Sequence, residues 1–542
     1  MNSRRIVILV FFGSVINLLV AQERHVIVNP FDYLRQAEPW LTSTNVAGLQ
    51  HLPIQQISSV ELFLNKSNGG FVNYYEPNNS LSWGARTESF FRLNPKVVLY
   101  GKVDYSNFTG KNMGGSAWIE PEYHPFNLVE MTDDNTGTKN KEDYMIVGAA
   151  SVQLHNNWTI GAKLDYHAAN YAKFKDLRHT NKLLDMTATA GVAYSVGTIA
   201  EIGANYIYRR SVESVAFRIY GTADKLYYTL IDFGAFYGRS EVFVAGASYT
   251  RNSDNKPIPM FNQFHGGALQ VNAHLSSTWQ WFNEFSYRKR AGYYGEKLPN
   301  TSVLTEHDGN VLSYEGTVSW KSWNKRMCLH QWQIGLEHDA ITNNENSFII
   351  ISLPDGGHAD TEYTGQTKTL NRTIVNARLN YLLTLGENLH FPEWALQAGA
   401  EVFRRQQIVV SEKPYYRRQT IQTAYFYMSG QKNKALDSKN SYSISLQVLY
   451  GLGNHSHNDG IYEIQGDAEK PPATTDFNLY REYDFLTAER IQGTVGAAYY
   501  RQLNPTVRGY VRAEYRLTNA LSLEYTSEKT HQLISVAIGS IF

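Results

Sequence analysis

The chain has 542 residues, 13% of them aromatic, with 50 Lys plus Arg set against 50 Asp plus Glu and a single cysteine, Cys328. The balanced charge excludes a global field that would draw nucleic acid, and one cysteine excludes an internal disulfide or a cysteine-cluster metal site. Beyond the first residues no apolar stretch is long enough for a membrane helix, which excludes a helical membrane protein.

At the start, Arg4 and Arg5 precede an apolar run from Ile6 to Ile16 and from Leu18 to Ala21, after which Gln22, Glu23, Arg24 and His25 turn polar. The pattern predicts a secretory signal peptide over 1–21, cut after Ala21, and the run is short of the ~20 apolar residues of a membrane anchor. Leu19, three places before that cut, is bulkier than the small residue usually preferred there. Residues 22–55 then form a periplasmic leader or a small hatch, with Pro30 to Leu34 and Trp40-Leu41 as its apolar points. The segment is far shorter than a globular plug domain, so energised uptake of the plug-domain type is not expected.

From about Gln56 to Phe542 the chain alternates with period 2. Val97, Leu99, Gly101, Val103 and Tyr105 alternate with Val98, Tyr100, Lys102, Asp104 and Ser106. Trp158, Ile160, Ala162, Leu164 and Tyr166 alternate with Thr159, Gly161, Lys163 and Asp165, and Ala200 to Tyr208 alternate with Glu201, Gly203 and Asn205. Val507 to Tyr515 alternate with Arg508, Tyr510, Arg512, Glu514 and Arg516. One face is apolar and the other charged or small, as lipid outside and a lumen inside require.

Short turns are expected at Asn94-Pro95, His155 to Asn157, Val196 to Thr198, Tyr237 to Arg239, Ser276-Ser277, Gly386 to Asn388 and Asn504-Pro505. Long loops are expected over 108–143, 251–266, 341–369 and 452–489. The alternation predicts an all-β fold: a transmembrane antiparallel β-barrel over 56–542, of about 20 strands (range 16–22), with short periplasmic turns and long extracellular loops. Closure satisfies the backbone groups that hydrocarbon cannot, and one barrel suits an unbroken pattern better than several soluble domains. The stretch Leu517 to Ser527 fits either a longer penultimate strand or an external loop.

If the Asn94-Pro95 turn is tight, Arg86 faces Asp104 and Glu88 faces Lys102 on the inward face. These four, with Lys163, Asp165, Glu201, Arg508, Arg512, Glu514 and Arg516, are the candidate lumen-lining residues. Filling and strand register is one role for them, a basic ladder for anionic solutes the other; on a lipid face each charge would cost ~2–4 kcal/mol at midplane. No Gly-x-Ser-x-Gly elbow, His-Glu-x-x-His or phosphate loop is present, so neither catalytic residues nor a cofactor is expected. His455, His457 and Asp459 make a weak metal candidate, since two histidines in a polar loop are usually solvated.

The chain ends on Phe542, preceded at every second position by Ser540, Ile538, Val536 and Ile534. This resembles the terminal signal by which bacterial outer-membrane barrels are recognised for assembly, from which Ser540 departs. The leader carries a second resemblance. Glu38-Pro39-Trp40-Leu41 followed by Asn45-Val46-Ala47-Gly48-Leu49, then Trp83-Gly84 with Thr87-Glu88-Ser89, resembles an uncharacterised outer-membrane β-barrel family of the Bacteroidetes. Asn45 to Leu49 is also similar to the Asn-Pro-Ala-Gly-Leu stretch of long-chain fatty-acid transporter barrels, with Val46 in place of the proline; Asn45, Ala47, Gly48 and Leu49 are therefore the hatch candidates. The resemblance implies the outer membrane of a Gram-negative cell, with its lipid and the barrel-assembly machinery as partners, and no established substrate. A conduit for small or hydrophobic molecules is the first functional expectation. A scaffold for a surface lipoprotein or complex partner is the second, and an enzyme with a site assembled from distant strands the third.

Overall fold

The computed structural model describes residues 29–132, 135–221, 225–243, 249–250, 256–297, 301–323, 326–351, 360–387, 392–411, 414–462 and 471–542. The signal-peptide expectation over 1–21 lies outside them.

Among the described residues the chain forms twenty-two strands and two α-helices. Helix α1 (Pro30–Ala37) comes first, followed by the 3-10 turns Pro39–Leu41 and Val46–His51. Then follow β1 (Gln56–Asn68), β2 (Asn79–Asn94), β3 (Val97–Met113), β4 (Asn127–Glu130), β5 (Gly137–His155), β6 (Trp158–Lys173), β7 (Arg178–Val196) and β8 (Ala200–Arg218). The middle of the chain gives β9 (Tyr228–Asp232), β10 (Tyr237–Val242), β11 (Ile258–His274), β12 (Trp279–Gly295), β13 (Val303–Trp323), β14 (Met327–Ile351), β15 (Asp360–Gly386) and β16 (Trp394–Val410). The last part gives β17 (Tyr415–Ala435), β18 (Asn440–Ile461), β19 (Ala473–Thr474), helix α2 (Asp476–Thr487), β20 (Arg490–Gln502), β21 (Arg508–Ala520) and β22 (Thr530–Ile541).

Eighteen of the strands form one antiparallel sheet that closes on itself where β1 pairs with β22, from Ser59 opposite Ile541 to Asn68 opposite Gln532. No edge is left on this sheet, the condition hydrocarbon imposes. Outward residues are apolar and exposed, as with Ile160 and Leu164 on β6 and Ile534, Val536 and Ile538 on β22. Trp158 and Tyr194, and the stacked series Trp279, Trp320 and Trp332, ring the end that carries the short turns. Tyr166 and Tyr287 lie eight residues further along their strands, about 20 Å vertically at ~3.3 Å per residue and ~40° tilt. That matches the apolar band of a membrane barrel flanked by two aromatic girdles.

The barrel has eighteen strands where the alternation suggested about twenty, and several connections differ. Tyr237 to Arg239 is not a turn but the start of β10, which lies in a small second sheet of β4, β9, β10 and β19. The expected loop 251–266 already contains β11 from Ile258, whose inward Ile258, Met260 and Phe264 are buried. Apolar residues on both faces hide the period there. The loop expected over 341–369 is the upper part of the 25-residue β14 and the 27-residue β15, well beyond the ~9–11 residues that cross a bilayer. At the strand tips, Ser347 to Ile351 and Thr361 to Lys368, most residues are exposed on both faces, so the sequence turns polar without leaving the sheet, while Ile341 and Leu370 below them join the inner apolar packing. For the same reason β3 and β5 run into the expected loop 108–143, and β18 continues to Ile461 before α2 takes up the rest of 452–489. β21 extends to Ala520, and the polar residues after it lead to β22.

Two apolar clusters lie inside the upper barrel. Trp118, Phe126, Ile231, Phe233, Tyr249 and Tyr294 belong to one, joined by the wall residues Ile341, Leu370 and Val409. Leu230, Phe236, Leu479 and Tyr483 meet the wall residues Ile374, Phe403 and Ile421 in the other. The tight β9–β10 turn aims Phe236 into this cluster, with Gly234 at φ +137° and Ala235 and Phe236 also at positive φ. Asp232 Oδ1 holds the turn by accepting from the N–H groups of Gly234 (2.8 Å) and Tyr237 (3.1 Å).

Candidate functional site

The leader enters the lumen at the short-turn end. Asn29 caps α1 in a reciprocal capping box with Asp32, and Pro30 occupies the first turn, so the local sequence starts a helix without help from the wall. Phe31, Leu34, Val46, Leu49 and Leu52 then pack with the wall residues Ile57, Phe90 and Val98. Trp40 stacks on His51 at 5.5 Å and meets Phe282 edge-on at 5.2 Å. The His51 ring contacts Glu201 at 2.9 Å; burial alone would lower the His51 pKa, but the hydrogen bond and charge of Glu201 outweigh it and raise it.

Asn45 is the centre of the seat. Its Nδ2 donates to the carbonyls of Val192 (2.9 Å) and Ala204 (3.3 Å) and to Gln270 Oε1 (2.9 Å), and its Oδ1 accepts from Ala47 N (3.1 Å). The approach is possible because three neighbouring strands carry glycine there. A Cβ on Gly161 would lie 2.5 Å from the Val46 carbonyl carbon, one on Gly191 2.2 Å from Asn45 Oδ1, and one on Gly203 2.7 Å from Asn45 Nδ2. Ser151 Oγ donates to the Ala47 carbonyl at 3.1 Å on the fourth strand of the same cradle. Gly48 is close to Trp40, where a Cβ would lie 2.5 Å from the Trp40 carbonyl oxygen.

Beside the cradle, Ser43 Oγ (2.6 Å) and Thr44 N (3.0 Å) donate to Glu284 on β12, which also accepts from Gln270 Nε2 at 3.0 Å. Glu284 is 4% exposed, and its contacts here are neutral hydrogen-bond donors. Elsewhere round the wall, Arg35 pairs with Glu88, Gln331 donates to the Gln36 carbonyl at 2.5 Å, and Asn433 to Tyr33 Oη at 3.2 Å. The leader is thus bonded to strands on every side of the lumen.

Above it lies a belt of paired charges. Arg86 donates to Asp104 at 2.5 Å, Arg209 forks onto Asp185 with contacts of 2.5–3.0 Å, and Lys163 meets Asp165 at 3.1 Å. Glu88 stands opposite Lys102 in register but is engaged by Arg35 and by Tyr100 Oη (2.7 Å). Arg512 pairs with Glu61 at 2.8 Å across the closing seam, Arg508 donates to Ser441, and Glu514 and Arg516 are buried on the same inward face. The first pairs keep a quarter or more of the basic side chain accessible, Arg86 34% and Lys163 31%. The middle of the lumen is therefore wet beside β2, β3 and β6 to β8, and tightly packed near Arg290 and Asp339 (3.0 Å).

The loop layer closes the upper lumen. Arg372 donates to the carbonyls of Glu122 and His124 (both 3.1 Å), Arg417 to the Ala235 carbonyl (3.0 Å), and Arg405 pairs with Glu482 of α2 at 2.6 Å. Burial pushes the Glu122 carboxyl, which accepts from Tyr75, up to about 7, and that of Asp232 likewise to about 7. His455 stacks on Tyr483 at 3.9 Å and Asp459 pairs with Arg417 at 2.7 Å, so these weak metal candidates are parts of the α2 packing and of an ion pair. Among the described residues no group of three or more metal-ligating side chains comes together.

A family model described as a family of unknown function, DUF6850, matches residues 46–542. The chain belongs to that family. The DUF6850 match takes in the Val46–His51 turn and the whole barrel. A search of curated proteins returned no match. Among solved structures the chain is similar to BauA, the ferric preacinetobactin receptor of Acinetobacter baumannii, at 8% identity over 89% of this chain and 79% of that one, with a TM-score of 0.39. It is similar also to the CymD monoaromatic hydrocarbon channel (9% identity, 93% and 92% covered, TM-score 0.32) and to a Pseudomonas aeruginosa FadL homologue (9%, 92% and 92%, 0.32).

The glycine cradle and the Ser43, Thr44, Gln270 and Glu284 bonds were missed by sequence reasoning. A signal for the cradle existed: Gly161 and Gly203 fall on the charged-or-small face of their strands, where a small residue leaves room for something inside.

Proposed function

We propose that this protein is an outer-membrane conduit for small molecules, gated at its periplasmic end by the leader, with Asn45 to Leu49 as the seated part of the gate. The supporting observation is topological. Among the described residues the leader joins the wall by one covalent link, between Leu52 and Gln56, and is otherwise held by exchangeable contacts. Its polar bonds each contribute ~0.5–1.5 kcal/mol net and are replaced by water when broken. It is therefore able to withdraw as a unit, leaving the wall closed behind it. The wet, charge-paired belt above favours small polar solutes over bulky apolar ones, with Arg86, Lys102 and Lys163 and their acidic neighbours as its lining; Arg512 and Arg516 are buried on β21 outside it, and Arg508 stands at the short-turn end of that strand.

The loop layer supports a second reading, a scaffold with a permanently filled lumen. Planar-bilayer recordings on the refolded full chain and on a variant lacking residues 29–52 separate the two. The conduit reading expects a quiet full chain and discrete conductance steps after deletion. Silence from both, with each barrel shown folded by its heat-modifiable mobility, overturns the conduit in favour of the scaffold.

A further inference from the structure

A cavity of about 660 Å³ lies on the barrel wall across β11, β12 and β13, remote from the lumen gate. Its floor is the backbone at Asn262, Gly292 and His307, and its sides are the outward side chains of the residues flanking them. Phe261 and Tyr293 are cross-strand partners there, with ring centroids 4.7 Å apart and planes at 32°.

The position is set by the girdle beneath. On β12 the outward Phe285 and Tyr287 are 48% and 45% exposed, and beyond them the face turns to Lys289, Ala291 and Tyr293. On β11, His265 bonds Tyr206 Oη (2.6 Å) and packs 5.0 Å from the Tyr208 ring, while Gln263, two residues higher, donates to Tyr208 Oη at 3.1 Å. The cavity therefore begins directly above the outer aromatic girdle, at the level where headgroups meet water.

Its chemistry selects among ligands. Arg210 and Lys297 supply donors, set over the Phe261 ring (5.9 Å) and the Tyr293 ring (4.4 Å). Glu306 and Asp308 supply acceptors and Asn344 offers both, while Gln366 Nε2 donates to Glu306 Oε2 (3.1 Å) and Asn346 Oδ1 (2.9 Å) and presents its Oε1 as an acceptor. Two cations against two carboxylates leave no net field for a simple anion or cation. A ligand that satisfies donors and acceptors together is one rich in hydroxyls, each of which gives and takes a hydrogen bond. The inner faces of the two rings cover each other, and the outer face of Tyr293 is held by the exposed Lys297; a ligand that replaces Lys297 there needs an apolar C–H face. A pyranose ring has both, and the volume lies within the ~300–1,000 Å³ range of small-molecule sites.

We propose that this cavity is a carbohydrate site in which a sugar ring takes the place of Lys297 over the outer face of Tyr293 and has its hydroxyls read by Glu306, Asp308, Asn344 and Gln366. The proposal does not depend on the lumen being a conduit. The sugar comes either from the lipopolysaccharide beside the barrel or from a free glycan. The test uses the full chain in nanodiscs, probed in one arm with short-chain lipopolysaccharide and in the other with a panel of soluble neutral oligosaccharides, for wild type, Tyr293→Ala and Asn344→Ala. The expected result is saturable binding in one arm, weakened at least tenfold by Tyr293→Ala and severalfold by Asn344→Ala, with heat-modifiable mobility unchanged. Binding in the first arm assigns the sugar to the membrane and in the second to a free glycan. Binding in neither arm, or equal binding by wild type and both variants, overturns the proposal.

Discussion

The two fillings of the lumen differ in how they are tied to the wall. Among the described residues the leader is one segment on one tether, whereas the loop layer is assembled from the β1–β2, β3–β5, β8–β11 and β18–β20 connections, each anchored at both ends. Five buried apolar residues of the leader pack with three of the wall, and the loop layer is built round two clusters of nineteen and ten. Apolar burial is worth ~25 cal/mol per Å² and is forfeited when the surface meets water, while a polar bond is largely replaced. A single-tethered segment held by one small apolar cluster and a set of polar contacts is suited to leave and return. A layer held at eight points round an apolar core is suited to stay.

The sharpest way to break that contrast is to put a charge in the upper core. Phe236→Asp places a carboxylate among Leu230, Leu479 and Tyr483, where the nearby Arg405 and Arg417 are already paired with Glu482 and Asp459, at a cost of about 3–5 kcal/mol. Limited proteolysis should then cut the loop layer while the barrel keeps its heat-modifiable mobility; unchanged cleavage would show that the cluster does not hold the layer. Gly161→Val comes next, because the new side chain needs the space of the Val46 backbone. We expect about 2–3 kcal/mol against leader docking, read as protease cleavage between Gln36 and Gln50 with the loops still protected. Asn45→Ala removes the donor to three acceptors without filling space and should cost ~1–2 kcal/mol. Hydrogen exchange at Ala47 and Gly48 would report it, and protection equal to wild type would mean that packing rather than Asn45 seats the leader.

The smallest effect is on pH. Burial raises the Glu122 and Asp232 carboxyls to about 7, so between the ordinary carboxylate range and pH 7 the docked layer holds protons that an undocked layer has released. That contribution to stability is complete below the ordinary range and is lost as pH rises through about 7. Loop cleavage should therefore quicken a few-fold from pH 5 to pH 8, with leader cleavage showing no matching trend from these two groups; a flat or reversed loop profile would remove these carboxyls from the account.

The barrel was legible in the sequence wherever one face meets lipid, because only there do the two sides of a strand face different solvents. β6 and β21 alternate cleanly for that reason, and the register that sets Arg86 against Asp104 follows from a tight turn alone. Legibility failed where the two sides are alike. At their tips, β14 and β15 have water on both faces and read as loop; beside the loop layer, β11 has apolar groups on both and reads as irregular. The leader's seat was partly visible in Asn45 to Leu49, but Glu284 and Gln270 sit more than two hundred residues away, and no local pattern links them to Asn45.

The closing seam has a consequence for the order in which the molecule is made. Glu61 meets Arg512 across 451 positions of sequence, so seventeen hairpin contacts between successive wall strands leave the sheet open until β22 finds β1. Pairing that distant is slow, and an open sheet of this width offers two long unpaired edges while it waits. Those edges stay unpaired until that last union, and a lesion in β1 or β22 should be felt first as failure of the barrel to close.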